Sequence, residues 1–290
     1  MTATIAKHEP APEPTTNPQH LIRRQDDGLP YYQFEDLLGF PEVVHGVFTR
    51  VGGVSPAPFA TLNASLSVGD ERAHVVTNRA RICYALGLDP RAAVMGQLVH
   101  GTRVTVVKEQ HRGRGAVDLD GLPATDALIT NCPGIPLLMT FADCVPILLY
   151  DPAHRVVGLA HGGWKGTLLG VAQSVVRAMQ EAYGCRPADV IAAVGPAVGP
   201  CCYQVGDDVL LLARDVFPNG RDTFIPQADG TWHLDLWETT RRWLAMAGVG
   251  RVVAADWCTA CHTGEFFSHR GEQGKTGRFG VVVALREETT

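Results

Sequence analysis

A chain of 290 residues, 46% hydrophobic with a formal net charge of −5, can bury a substantial core, as one large α/β domain or two small ones. The negative balance excludes the basic footprint of a nucleic-acid binder, and the brief clusters Arg112–Arg114 and Arg241–Arg242 read as solvated surface. No apolar run approaches the ~20 residues that cross a bilayer, so neither membrane nor nucleic acid is an expected partner.

Residues 1–28 are rich in Pro, Thr, Glu and Ala and lack the apolar stretch of a secretory signal. They read as a disordered or extended N-terminal tail, and residues 29–287 as one catalytic domain in the cytoplasm. Glu42–Thr49 is the first predicted strand, with a Gly52-Gly53 loop after it, and Val75–Leu86 is a helix stopped by Gly87. Strands are predicted at Val94–Val99, Val104–Val107, Ala127–Thr130, Leu137–Phe141, Val145–Tyr150 and Val156–Ala160. From Trp164 to Tyr183 the apolar spacing becomes helical, with Leu168, Ala172, Val175, Val176, Met179 and Tyr183 on one stripe. Then follow a strand at Val190–Val194, helices at Val205–Phe217 and Leu236–Met246, and strands at Arg251–Ala254, Phe266–Ser268 and Phe279–Leu285. Strands grouped together, rather than alternating strictly with helices, predict a mixed α/β (α+β) fold of layered mixed sheets.

Three residues at or near the ends of apolar runs carry the chemistry. His100, Cys144 and His161 are two imidazoles and one thiol, a donor set that suits zinc and leaves a fourth position for water or substrate. Their wide separation excludes a zinc finger, and strand ends of α/β folds converge on a ligand crevice. Copper also binds such donors. The turn His161-Gly162-Gly163-Trp164-Lys165-Gly166 leads into the long predicted helix. Its glycines permit positive φ and close approach of a ligand, and the helix start offers N–H groups to an anion. Gly163 and Lys165, together with Arg50 at the end of the first strand, are therefore the expected phosphate and substrate contacts. Asp143 is expected to sit behind the metal ligands or to support the structure, Gln97 to face away from substrate, and Cys258 and Cys261 to be structural thiols in a core turn.

Taken together, these residues resemble the YfiH-type family, also called laccase-domain or multicopper polyphenol oxidase proteins and peptidoglycan editing factors. The resemblance runs from Val44 to Leu285. It includes His45 to Arg50 with Gly52-Gly53-Val54-Ser55, Leu62-Asn63, Val68-Gly69-Asp70, Gln97 to Gly101, Asp126-Ala127, Ala142-Asp143-Cys144 and His161 to Gly166. Gly195 to Tyr203, Phe266 to Arg270 and Thr276-Gly277-Arg278 complete it. It departs from the family pattern at Lys165, where Arg is common, and at Gln204, where Glu is frequent.

The resemblance implies a layered sandwich of mixed β-sheets flanked by helices, with His100, Cys144 and His161 as the metal ligands and the catalytic residues. It also implies a zinc-dependent purine nucleoside phosphorylase acting on adenosine, inosine or methylthioadenosine with phosphate, with adenosine deaminase activity besides. Asp143 and His45 are candidate proton donors by residue type alone, and His45 is otherwise expected to stand behind the ligands. The family's other names imply a copper-dependent polyphenol oxidase or a Cys144-based amidohydrolase editing peptidoglycan precursors. A trinuclear copper cluster is disfavoured because no His-x-His pair occurs in the chain.

Overall fold

A computed structural model of the chain describes residues 19–117, 120–217 and 220–287. Strand β1 (Leu21–Asp26) pairs antiparallel with β2 (Leu29–Phe34), which is followed by the short helix α1 (Glu35–Leu38). The hairpin turns at Asp27-Gly28, both at positive φ, as two-residue hairpin loops require. Residues 21–28, expected to belong to the tail, are thus part of a sheet; residues 1–18 lie outside the described residues.

Strand β3 (Val43–Phe48), helix α2 (Arg72–Tyr84), β4 (Val104–Val106), β5 (Ala127–Thr130), β6 (Leu137–Phe141), β7 (Val145–Asp151) and β8 (Val156–Gly162) come next. The short helix α3 (Trp164–Leu168), α4 (Val171–Tyr183), β9 (Ile191–Val194), β10 (Gln204–Val205), α5 (Asp207–Val216), β11 (Phe224–Pro226) and β12 (Trp232–Leu234) follow. Helix α6 (Leu236–Met246), β13 (Arg251–Ala254) and β14 (Phe279–Leu285) end the order. One antiparallel sheet runs β1-β2-β3-β14-β6, and a second, mixed sheet runs β13-β9-β7-β8-β5-β4 with parallel pairs only at its two edges. A small third sheet, β10-β12-β11, lies apart from both in strand order.

The two large sheets stack face to face with helices outside. Alternate residues of one strand serve different cores. In β14, Val281 and Val283 meet Leu148, Tyr150 and Leu159 of the other sheet, whereas Val282 and Ala284 pack with Ile82 and Cys83 of α2. Likewise Ile147 and Leu149 of β7 face Val175, Val176 and Met179 of α4 and Trp237 and Leu244 of α6. Strands covered on both faces read as continuous apolar runs, which is why β6 to β9 are legible as strands. The layers are therefore helix, sheet, sheet, helix.

Four expected elements change. Val94–Val99 forms no strand; Val94 and Gly96 make single bridges to Leu137 and Leu122, with Gly96 pressed against Thr125. The expected helix from Trp164 to Tyr183 is two, broken at Gly170, whose φ is 82° and whose missing side chain makes room for the Trp243 ring. Val205 pairs with Trp232, so α5 begins at Asp207. Phe266–Ser268 is a loop, because the Ser268 N–H and hydroxyl bond to Glu272 and Asp143 instead of a neighbouring strand. No helix of the described residues is long and apolar enough to cross a membrane.

Candidate metal centre and substrate cavity

His161 lies near the end of β8, opposite Pro146 of β7, and its N–H donates to the Asp126 carbonyl at 2.7 Å. Cys144 stands in the turn immediately before β7, and His100 in the loop before β4. His100 and Asp143 both hold positive φ, 58° and 82°, a conformation that L-residues with side chains seldom adopt and that concentrates at functional sites. The two imidazole rings are 5.1 Å apart between centroids, and one ligand atom from each of His100, Cys144 and His161 lies within 4.8 Å of the others.

One carboxylate organises both histidines. Fully buried Asp126 accepts N–H groups from Val99, His100 and Gly101, the last two at 2.9 and 2.8 Å, and its Oδ1 is 3.1 Å from Nδ1 of His161. Burial alone would raise its pKa, but the His161 and backbone hydrogen bonds hold it below the ordinary value. Asp126 thereby fixes the path of the His100 loop and leaves Nε2 of His161 as that ring's ligand atom. Burial lowers the pKa of His161, yet the neighbouring Cys144 and Asp126 outweigh it and bring the ring to about 9. A bound cation competes with that proton, as it does at any imidazole–thiolate site. The donor set fits zinc, with a fourth position left over.

The glycines after His161 serve the ligands rather than the backbone. Gly163 has an ordinary φ of −66°, but a Cβ there would lie 2.5 Å from Nδ1 of His100. A Cβ on Gly166 would lie 2.6 Å from the Gly101 carbonyl. Helix α3 can approach the His100 loop only without these side chains. Gly163 thus makes room for the His100 ring, and it is not among the residues that line the cavity. Helix α3 has five residues, too short for a dipole-based anion site, and Lys165 on it is exposed and does not line the cavity.

The three ligands open into a cavity of about 460 Å³. Leu98, Trp164, Val198, Tyr203 and Leu236 form its apolar wall; Ser65, Ser67, Thr140, His269, Arg270 and Arg278 supply polar groups. A neighbouring cavity of about 360 Å³ shares Ser65, Ser67, Leu98 and Thr140 and is lined by Gln97, which does not line the cavity of His100, Cys144 and His161. Apolar walls with a few convergent polar groups are the usual make-up of a small-molecule site.

Residues 44–286 match the model of the family described as multi-copper polyphenol oxidoreductase laccase. The chain belongs to this family. Purine nucleoside phosphorylase YlmD of Geobacillus stearothermophilus is 40% identical to it over 87% of this chain and 93% of the relative. The protein of the same name from Bacillus subtilis is 38% identical over 85% and 90%. The crystal structure of YlmD from Geobacillus stearothermophilus superimposes with a TM-score of 0.86 over 92% of this chain and all of that one, at 38% identity. That of Bacillus licheniformis hypothetical protein YfiH gives 0.85 over 91% and 99%, at 37% identity.

Within this laccase-like fold, two arginines unassigned by sequence reasoning face the ligands. Arg278 donates to the Thr276 and Gly277 carbonyls at 3.2 and 2.8 Å, and burial pulls its pKa down from the ordinary arginine value. Arg270 donates to the Gln204 carbonyl at 3.0 Å and lies over the Tyr203 ring. Neither pairs with a carboxylate among the described residues. Arg278, partly withdrawn from water and lacking a counter-ion, is a ready partner for an anion, and exposed Arg270 adds a second positive charge to the same lining. Asp143 sets this wall: its carboxylate accepts Thr259 Oγ1, Ser268 Oγ and Arg270 N at 2.7, 2.7 and 2.6 Å. With those three donors it holds the loop of His269 and Arg270, and no bond ties it to a ligand histidine.

Two expected site residues stand elsewhere. Arg50 donates to the Ala60 and Thr263 carbonyls and to Glu272 at 3.2, 2.7 and 2.9 Å, and lies over Phe267. It braces two loops and does not line the cavity. His45 is buried within the five-stranded sheet, where its Nε2 accepts the Phe34 N–H at 2.8 Å. It is neither behind a ligand nor within the cavity lining. Sequence reasoning noted Asp126, Arg270 and Arg278 within family motifs, yet no local spacing linked them to His161.

Proposed function

We propose that this protein is a zinc-dependent purine nucleoside phosphorylase acting on adenosine, inosine or methylthioadenosine. The observation that carries the reading is the shared cavity. A His–Cys–His cluster and two guanidiniums that have no carboxylate partner among the described residues face the same space, one suited to a metal and the other to an oxyanion. The names of the relatives support it.

His100, Cys144 and His161 would hold the zinc, which when bound supplies Lewis-acid polarisation to an oxygen in its open position. Arg278 and Arg270 bind phosphate and fix the direction of its attack. The purine lies against Leu98, Trp164 and Tyr203, where apolar and aromatic surface excludes water. A phosphate oxygen forms a bond to ribose C1′ while the C1′–N9 bond breaks, and its electron pair leaves on the purine. His269, a cavity-lining imidazole outside the ligand cluster, gives the departing base a proton. The products are free base and a ribose 1-phosphate. Cys/His donor sets also serve zinc deaminases, so we assign the same cavity a second activity, replacement of the adenosine 6-amino group by water.

Among the described residues the His–Cys–His group is the one metal-compatible cluster holding two imidazoles, which favours this reading over multicopper oxidation of phenols. The test is incubation of adenosine and inosine with and without phosphate. Free base formed only with phosphate, together with ribose 1-phosphate, is the expected result. Base release without phosphate, oxygen consumption with a phenol, or amide hydrolysis by a zinc-free enzyme would overturn it.

A further inference from the structure

The four remaining cysteines of interest stand in two close pairs, Cys201-Cys202 and Cys258-Thr259-Ala260-Cys261, on two loops that the fold brings together. The bridge between Ala197 and Cys258, and the Thr259 N–H donating to the Ala197 carbonyl at 2.9 Å, hold the loops side by side. Their four sulfur atoms all lie within 4.8 Å of one another, with Cys201–Cys261 at 3.5 Å and Cys202–Cys261 at 3.4 Å. The expectation of inert thiols in a core turn accounts for Cys258, which is buried, but not for exposed Cys261 meeting two partly buried thiols from a distant segment.

We propose that Cys201, Cys202, Cys258 and Cys261 form a second metal site, a tetrathiolate that takes zinc for a structural purpose. Four sulfurs at about 2.3 Å from one ion stand roughly 3.8 Å apart, so the observed separations need only small adjustment. Cys258-Thr259-Ala260-Cys261 has the usual C-x2-C spacing of a closed structural site, and the adjacent pair Cys201-Cys202 supplies the other two sulfurs from a neighbouring loop. The Gly199 N–H, 3.2 Å from Cys258 Sγ, supplies the donor that a negatively charged tetrathiolate needs. A disulfide explains the cluster less well. Cys261 is almost equally close to Cys201 and Cys202 and singles out neither, whereas one ion takes all four sulfurs at once.

The placement gives the site a task. One loop carries Val198 and Tyr203 to the cavity wall; the other carries Thr259, which bonds Asp143, the residue that holds Arg270. A metal joining the loops fixes that wall without touching substrate. The His100–Cys144–His161 cluster is separate, so this inference stands whether or not the proposed reaction is correct.

The first experiment uses the unaltered protein, purified under reducing, anaerobic conditions. Zinc-loaded protein should alkylate at Cys201, Cys202, Cys258 and Cys261 about tenfold or more slowly than protein stripped by a chelator, as read by peptide mass spectrometry. Metal analysis should give two zinc ions per chain. Cys201→Ser/Cys261→Ser protein should keep one, and Cys144→Ser should lose the other. Equal alkylation with and without zinc, a single zinc that disappears entirely in Cys144→Ser, or a disulfide among the four thiols would overturn the proposal. If the double variant fails to fold, the alkylation comparison still decides.

Discussion

Asp126 Oδ1 lies 3.1 Å from Nδ1 of His161 and 2.9 Å from the backbone nitrogen of His100, so one buried carboxylate aligns two histidines of the candidate metal centre drawn from different segments. Asp126→Asn keeps the shape but gives up the charge that orients the imidazole. Loss of such a partner weakens metal binding about 10- to 100-fold. Competition with a chromophoric chelator should show this with the fold retained, and unchanged zinc affinity would remove Asp126 from this role.

Gly163→Ala should displace His100, because the added methyl would sit 2.5 Å from the ring nitrogen. Zinc retention and turnover fall together, while the cooperative unfolding transition remains. Full activity in this variant would mean that His100 does not need its observed position.

Arg278 and Arg50 should behave oppositely. Arg278→Met removes a cation facing the cavity, and kcat/KM for phosphate should drop about 10- to 100-fold, the loss of one charge-assisted contact. Arg50→Met instead breaks the brace to Thr263 and Glu272, lowering unfolding free energy by about 2–3 kcal/mol with KM for phosphate unchanged. Denaturant unfolding and steady-state kinetics on both variants check the contrast. A raised KM in the Arg50 variant would restore it to the site.

Burial lowers the His45 pKa to about 4 from 6.5, and its Nε2 accepts an N–H, a role open only to the neutral ring. The unfolded chain therefore binds this proton more readily than the folded one. The stability that His45 contributes is present above pH 6.5 and is lost as pH falls toward 4, by about 3 kcal/mol over that interval. His45→Gln, which keeps an acceptor but cannot titrate, should flatten that part of the acid limb in denaturant midpoints measured from pH 7 to 4.5. Parallel curves for the two proteins would contradict it.

Strands covered on both faces are readable because near-continuous apolar runs such as Leu137–Phe141 and Val145–Tyr150 need no partner to announce them. The β1–β2 hairpin was missed although Asp27-Gly28 is strong turn chemistry, because exposed polar β1 resembles a tail in composition. His100, Cys144 and His161 stood out by donor type. The arginines did not separate: Arg50 and Arg278 both neighbour glycines, and only contacts with Thr263 and Glu272, more than two hundred residues away, show that Arg50 is already engaged. Asp126 was hidden for the same reason, its partners being backbone amides of a loop whose path it sets. From sequence Cys258 and Cys261 read as structural thiols of a core turn, and only the fold sets Cys201 and Cys202 beside them.

The most direct measurement is an anomalous difference map at the zinc edge from crystals of protein that releases purine base in a phosphate-dependent assay. A peak within about 2.0–2.3 Å of His100, Cys144 and His161, on the side facing Arg278, is the predicted result. Protein of full phosphorolytic activity with no metal at those three residues would contradict it.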